Sequence, residues 1–464
     1  MGVGAYFVTV TETLDTRTTP GTPEHGPWIS RGDLVSVFAA TALLVAAVVA
    51  PMVGDAEWRI NIFALAPPLF GEFDPHFGYG TVAAVCTALA VIAYGPVLAA
   101  RLSWTLLVIT SMATGLVWTF SLSMIDGWNR GFAGRLVRPD EYLAEVPEVS
   151  SITGMLEEFS SRILDFQPDS WTTHVSGHPP GSLLTFVLLD RIGLGGGAWA
   201  AGFVIVVGCS AAGALLITTA RLGDEATARR IAPFVALTPG AVWMGVSADG
   251  YYMGVAAWGI ALLAVAATAS GKRAVAAAVG SGLVLGFAIF LNYGLVLMGV
   301  LAIAVLVAAR KYRPILYAVP AAAVVAGIFA AFGFWWFDGY HLVVERYYQG
   351  VATLRPFSYW GWANFASALC AVGPAAAVGL GRALRPRRLR RREAVVLLAV
   401  AGLLAMIIAD LSALSKAEVE RIWLPFSVWL LVATALLPRQ SHRFWLAGQA
   451  LTALLINHLV WTYW

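Results

Sequence analysis

The chain has 464 residues, of which 59% are hydrophobic and 12% charged, with a net charge of +3. A soluble domain carries about 25% charged residues, so this chain, at a mean hydropathy of +0.74, cannot cover a water-facing surface of its own size. Soluble enzymes, nucleic-acid binders and disordered scaffolds are excluded, and an all-α polytopic membrane protein folded as one large bundle is expected.

Residues 1–33 are polar and rich in Thr, Pro and Gly. They lack an apolar core with a cleavage site, and read as a cytoplasmic tail rather than a signal peptide. From residue 34 to 464 the chain reads as a single bundle. A membrane span needs about 20 apolar residues. Candidate spans are 34–53, 80–100, 103–124, 197–220, 230–247, 251–270, 274–291, 294–309, 315–336, 362–382, 394–411, 422–437 and 444–463. That makes about thirteen, within a range of eleven to thirteen. Residues 179–193 (PPGSLLTFVLLDRIG) are too short an apolar stretch to cross and carry Asp190-Arg191; they predict a helix lying at the membrane interface.

Loop charge sets orientation. With the N-terminus inside, the inner loops hold Arg101, Arg229, Arg230, Lys272, Arg273, Arg310, Lys311 and the run RPRRLRRR at 385–392. The outer loops are 54–79, 125–196 and 337–361, with short turns near 248, 292 and 412. The polar chemistry of the chain therefore gathers on the outer face of a cell membrane, with the C-terminus also outside. The three cysteines, Cys86, Cys209 and Cys370, lie in apolar segments and suggest neither a disulfide frame nor a metal cluster.

Ionisable groups at that depth are functional candidates. Asp126 ends the third span, where it also suits an Asp-Gly turn. Asp140 and Glu141 follow Pro139. A carboxylate there can act as general base for an acceptor hydroxyl, although Pro139 ahead of two acids also suits a helix start. His178, before Pro179 and Pro180, stands at a rigid corner and can meet a phosphate or a sugar hydroxyl. Lys416 and Arg421 can hold a lipid phosphate or simply snorkel to the interface. Arg346 and Arg355 are similar cations among many aromatics. Asp249, Asn292, Tyr293, His341 and Glu345 complete the outer face as substrate-binding candidates. The run at 385–392 is an orientation signal. There is no Walker A lysine loop, GxSxG, HExxH or CxxC.

Taken together and in order, PDEYL (139–143), HPPGSLLTFVLLDRIG (178–193), ITTARLGDEATARR (217–230), LTPGAVWMGVSADG (237–250), GLVLGFAIFLNYG (282–294) and LSALSKAEVERIWLPF (411–426) resemble the GT-C membrane glycosyltransferases. The resemblance is to the protein-mannosyltransferase and aminoarabinose-transferase branch. Asn292 stands where that branch has lysine, and Gly181 where it has leucine. Two spans here precede the one that leads into the catalytic loop, where the branch normally has a single helix before its Asp. The resemblance implies a GT-C fold and an inverting transfer of sugar from a polyprenyl-phosphate donor to a glycolipid, glycan or protein acceptor. Asp140 would be the base with Glu141 beside it, and Asp126 the alternative. His178, Arg346, Arg355, Lys416 and Arg421 would face the donor phosphate. Mannose and arabinofuranose are the expected sugars. No cofactor is required, and a divalent cation is possible. A lipid or solute transporter and a non-catalytic envelope scaffold are the competing expectations.

Overall fold

The computed structural model describes residues 28–245 and 247–463; most of the expected polar tail falls outside them. The chain is an all-α polytopic membrane protein. Its principal helices are α1 (Arg31–Val53), α2 (Gly80–Arg101), α3 (Trp104–Ser123), α4 (Gly181–Arg191), α5 (Gly197–Leu222), α6 (Glu225–Ala236) and α7 (Ala248–Thr268). They continue with α8 (Gly271–Ala288), α9 (Met298–Ala309), α10 (Ile315–Ala331), α11 (Trp336–Gln349), α12 (Phe357–Ala383), α13 (Ala394–Leu411) and α14 (His442–Leu459). Two short strands, β1 (Gly71–Phe73) and β2 (Val460–Thr462), pair antiparallel.

Most of the predicted spans coincide with α-helix along the greater part of their length. Seven of the described helices (α1, α2, α3, α5, α7, α12 and α13) are long and apolar enough to cross a membrane alone. Helices α10 and α11 reach that length and apolarity only as a pair, bent by 73° at the break between them, which is the geometry of a broken span or a re-entrant loop. The other five segments are shorter, less apolar or broken. The segment expected over 230–247 stops at Ala236 and resumes only as Ala241–Met244, because Pro239 cannot donate the next helical bond. The one expected over 422–437 is a short helical turn followed by a 3-10 stretch, Val428–Leu436. The last, expected to run to 463, leaves the helix at Leu459 and becomes β2.

Burial sorts the helices. Only 11% of the apolar window of α1 is buried, against 78% for α7, so α1 presents side chains such as Phe38 to lipid while α7 is the core helix. Small residues let backbones close up. A Cβ at Gly254 of α7 would collide with the Val207 carbonyl of α5, and one at Gly282 of α8 with Ala318 of α10. Helix α12 breaks at Gly373, whose φ of +75° only glycine adopts freely. Gln449 of α14 mends the break. Its Oε1 accepts from the Ala375 amide at 3.1 Å and its Nε2 donates to the Val372 carbonyl at 2.8 Å. Non-helical backbone at membrane depth survives only when satisfied in this way. Of the cysteines, Cys209 and Cys370 are buried and Cys86 is exposed; all three are free thiols.

Candidate functional site

The connections assigned above to the outer face converge at one end of the bundle. They enclose a cavity of about 620 Å³, within the range that holds small ligands. Its walls come from the loop before α2, the segment around Asp140, the turn Thr173–Ser176, the stretch after α11, the loop before Val419, and β2 with Tyr463.

Asp140 lines the cavity. No helix starts at Pro139: the chain makes a turn, with the Glu141 amide donating to the Arg138 carbonyl, and then single 3-10 turns. The Arg138 Nε lies 3.3 Å from Asp140 Oδ1. The Asp140 carbonyl accepts from both the amide and the Nδ1 of His174, at 3.0 and 2.8 Å. Because a carbonyl only accepts, Nδ1 carries the proton and Nε2 offers a lone pair. That lone pair faces the Arg421 guanidinium at 3.3 Å. Burial, and then the charge of Arg421, push the His174 pKa down to about 4, so the ring is neutral at pH 7. Glu141 is turned inward, and burial raises its pKa to about 8.

Arg421 is the electrostatic centre beside the cavity. It donates to Asp249 Oδ2 at 2.8 Å and to Glu418 Oε2 at 2.7 Å. Burial opposes its charge, and Asp249 and Glu418 override that opposition and raise its pKa. Burial likewise favours the neutral form of Glu418, but Arg421 and Arg355 outweigh it and hold its pKa down. Arg355 reaches Glu418 Oε1 at 3.1 Å and the Lys416 carbonyl at 2.8 Å. The loop that presents these groups is strained: Ala417 and Glu418 hold φ of +76° and +64°. Non-glycine residues there cost about 1–3 kcal/mol each and cluster at functional sites. The Lys416 ammonium donates to the Ala352 carbonyl at 2.9 Å and lies 5.4 Å from the Tyr348 ring.

The other sequence candidates are spread more widely. His178 donates its Nδ1 to the His174 carbonyl at 2.8 Å and sits between the rings of Tyr142 and Tyr252. The Tyr252 hydroxyl is 2.8 Å from both Tyr142 and Ser182, and Ser182 donates to the Leu291 carbonyl. Asp126 belongs to a neighbouring cluster. It lies 3.0 Å from His76 Nε2 and within 4 Å of Arg130 and Arg135, and burial raises its pKa. Arg346 pairs with Asp165. Asn292 caps the turn after α8 by accepting from the Gly294 amide. Tyr293 packs against Trp336 and Tyr340, and His341 and Glu345 are exposed on α11. Of all the candidates, Asp140 and Arg355 line the cavity themselves, while Arg421 contacts the lining residues His174 and Glu418 and Glu141 lies 3.7 Å from His174.

Sequence reasoning missed His174, Arg138 and Glu418, and the aromatic wall of Phe70, Trp461 and Tyr463. His174 stands one helical turn before His178, which was a legible signal. The two C-terminal aromatics read as the end of a span. Among the described residues, no group of three or more His, Cys, Asp or Glu side chains is arranged to hold a metal ion.

The sequence matches no family profile and no curated protein. Solved structures show distant likeness. The Archaeoglobus fulgidus oligosaccharyltransferase in complex with Zn and sulfate is 13% identical at a TM-score of 0.49, covering 76% of this chain and 53% of that one. The archaeal oligosaccharyltransferase AglB from the same organism, in complex with an inhibitory peptide and a dolichol-phosphate, is 13% identical at 0.42, covering 72% and 50%. ArnT from Cupriavidus metallidurans, bound to undecaprenyl phosphate, is 16% identical at 0.30, covering 72% and 78%. The chain thus spans about half the length of the oligosaccharyltransferase it resembles. These likenesses are too distant to transfer a site.

Proposed function

We propose that this chain is a GT-C-type membrane glycosyltransferase. It moves a sugar, with inversion, from a polyprenyl-phosphate donor to an acceptor hydroxyl of the cell envelope, on the outer face of the membrane. The observation that carries the reading is the meeting of Asp140 and Arg355 in the lining of one cavity at one end of the bundle. A carboxylate base and a cation for a leaving phosphate are the two charges such a transfer needs. The order of sequence motifs points the same way.

In this reading Asp140 takes the proton of the acceptor hydroxyl. The oxygen attacks the anomeric carbon as the carbon–oxygen bond to phosphate breaks, and the bonding pair leaves with the polyprenyl phosphate. Arg355 and Lys416 meet the charge of that phosphate. Arg421 holds Glu418 and Asp249, and neutral His174 fixes the Asp140 backbone against Arg421. Glu141, protonated below about pH 8, stands beside the base as a neutral group.

The test is purified protein in bilayer discs, given a panel of polyprenyl-phosphate sugars with envelope glycolipid extract as acceptor. Donor consumption is followed by mass spectrometry, with Asp140→Asn alongside. Consumption of one donor by wild type only is expected. Full activity in Asp140→Asn would move the base to Asp126, and no consumption of any donor by wild type would overturn the reading.

A further inference from the structure

The last apolar segment does not end as a span would. Helix α14 stops at Leu459 and the chain turns across the cavity as an extended strap. Gly71 pairs with Thr462, Glu72 with Trp461 and Phe73 with Val460. A two-stranded ribbon is marginal by itself, and this one is held at several further points. The Arg135 Nη1 donates to the Thr462 carbonyl at 2.8 Å, and the Arg138 Nη1 to the Tyr463 carbonyl at 2.9 Å. The amides of Asp74 and His76 donate to the carbonyls of Leu459 and His458.

Alternation along the strap sends Trp461 and Tyr463 to one side, and both line the cavity, while Thr462 is buried. The two rings meet edge to face at 5.1 Å, and Phe70 meets Tyr463 the same way at 5.1 Å. The Arg130 guanidinium lies 4.1 Å over the Trp461 ring, fixing its plane. The arginine that holds the Tyr463 carbonyl is the one that lies against Asp140. One side chain therefore sets the distance between the aromatic wall and the proposed base.

We propose that Trp461, with Tyr463 set against it, is a saccharide-stacking wall on which a sugar ring lies with a hydroxyl edge toward Asp140. The inference rests on the glycosyltransferase reading and adds the residues that choose its sugar. A hydrocarbon chain does not suit the same wall, because it would strip water from Arg138, Asp140, Arg355 and Glu418 without pairing them. A sugar matches both halves: its C–H face covers an aromatic ring and its hydroxyls meet the charges. The ring on the wall belongs to the donor or to the acceptor, and the two arms of the experiment separate them.

Full-length protein in bilayer discs is titrated with two sets of probes. One is an array of phosphate-free mono- to tetrasaccharide glycosides; the other is polyprenyl-phosphate mannose and polyprenyl-phosphate arabinofuranose. Wild type, Trp461→Phe and Trp461→Leu are compared, with melting temperature as the check on folding. Trp461→Leu is expected to lose about tenfold in affinity, with Trp461→Phe intermediate. Loss in the phosphate-free arm assigns the wall to the acceptor, and loss confined to the lipid-linked arm assigns it to the donor. Should Trp461→Leu lose its fold, the graded response of Trp461→Phe decides. Unchanged affinity of the Trp461 variants in both arms overturns the wall and leaves the transferase reading standing if wild type still consumes donor. Wild type that binds no probe in either arm overturns the wall, and absent donor consumption separately overturns the transferase.

Discussion

The Arg421 guanidinium donates to Asp249 at 2.8 Å, joining residues 172 positions apart. Both side chains are buried, and Arg421 also holds Glu418. The pair ties the strained loop before Val419 to the start of the core helix α7. Removing one member leaves an uncompensated buried charge, which costs about 3–5 kcal/mol.

Arg421→Gln is therefore expected to lower the unfolding temperature in detergent markedly. Adding Asp249→Asn should restore part of the loss, since both charges are then gone. A double variant as unstable as the single one would show that Glu418, not Asp249, is the partner that matters.

Stability should depend on pH through two buried groups with opposite signs. An unfolded glutamate ionises near 4.5, and folded Glu141 keeps its proton to about 8. Its contribution is full below pH 4.5 and is lost as pH rises through 8. An unfolded histidine titrates near 6.5, and folded His174 near 4. Its contribution is full above pH 6.5 and is lost as pH falls through 4. Melting temperatures should lose their fall between pH 4.5 and 8 in Glu141→Gln and their fall from pH 6.5 to 4 in His174→Gln. Slopes identical to wild type would place the titrating groups elsewhere.

Gly181 begins α4 against the Phe290 carbonyl, 2.5 Å from where a Cβ would stand. This is backbone that cannot give way as a side chain can. Gly181→Ala should destabilise the protein by about 1–3 kcal/mol, measured by unfolding in detergent. A neutral result would mean that α4 slides freely on the turn after α8. The same contact explains why leucine, usual in the resembling branch, does not fit here.

Arg355 lines the cavity beside Glu418, and in the proposed reaction it meets the phosphate of the donor. A charge-assisted hydrogen bond is worth about 1.5–3 kcal/mol, so Arg355→Gln should raise the donor KM by about tenfold or more. Kinetics with the donor identified in bilayer discs measures this. An unchanged KM would shift that role to Lys416.

Much of this protein is a local property of its sequence. Apolar length and the scarcity of charge mark the long helices, seven of which among those described can cross a membrane alone against about thirteen spans expected, because hydrophobic burial in lipid needs no partner residue to be known. Short apolar length likewise foretells the compact helix α4, whereas the break after Ala236 falls inside a segment expected to run unbroken over 230–247. Asp140 stood out as a candidate from its motif, and the fold sets it in the lining of the cavity.

What the sequence alone could not decide is which of many outer charges meet. Asp126 and Asp140 look alike in one dimension. The fold gives the first to His76 and the arginines beside it, and opens the second to a cavity. Arg421 looks like a free cation until Asp249 and Glu418 close on it. The aromatic pair at 461 and 463 reads as the end of a span, and only its pairing with β1 turns it into a wall. Each of these outcomes is set by contacts between distant segments. Ion pairing and strand pairing depend on distances in space, and local composition carries no record of those distances. Composition and spacing determined the helices and the chemistry available; tertiary packing decided which groups pair with each other and which are left facing the cavity.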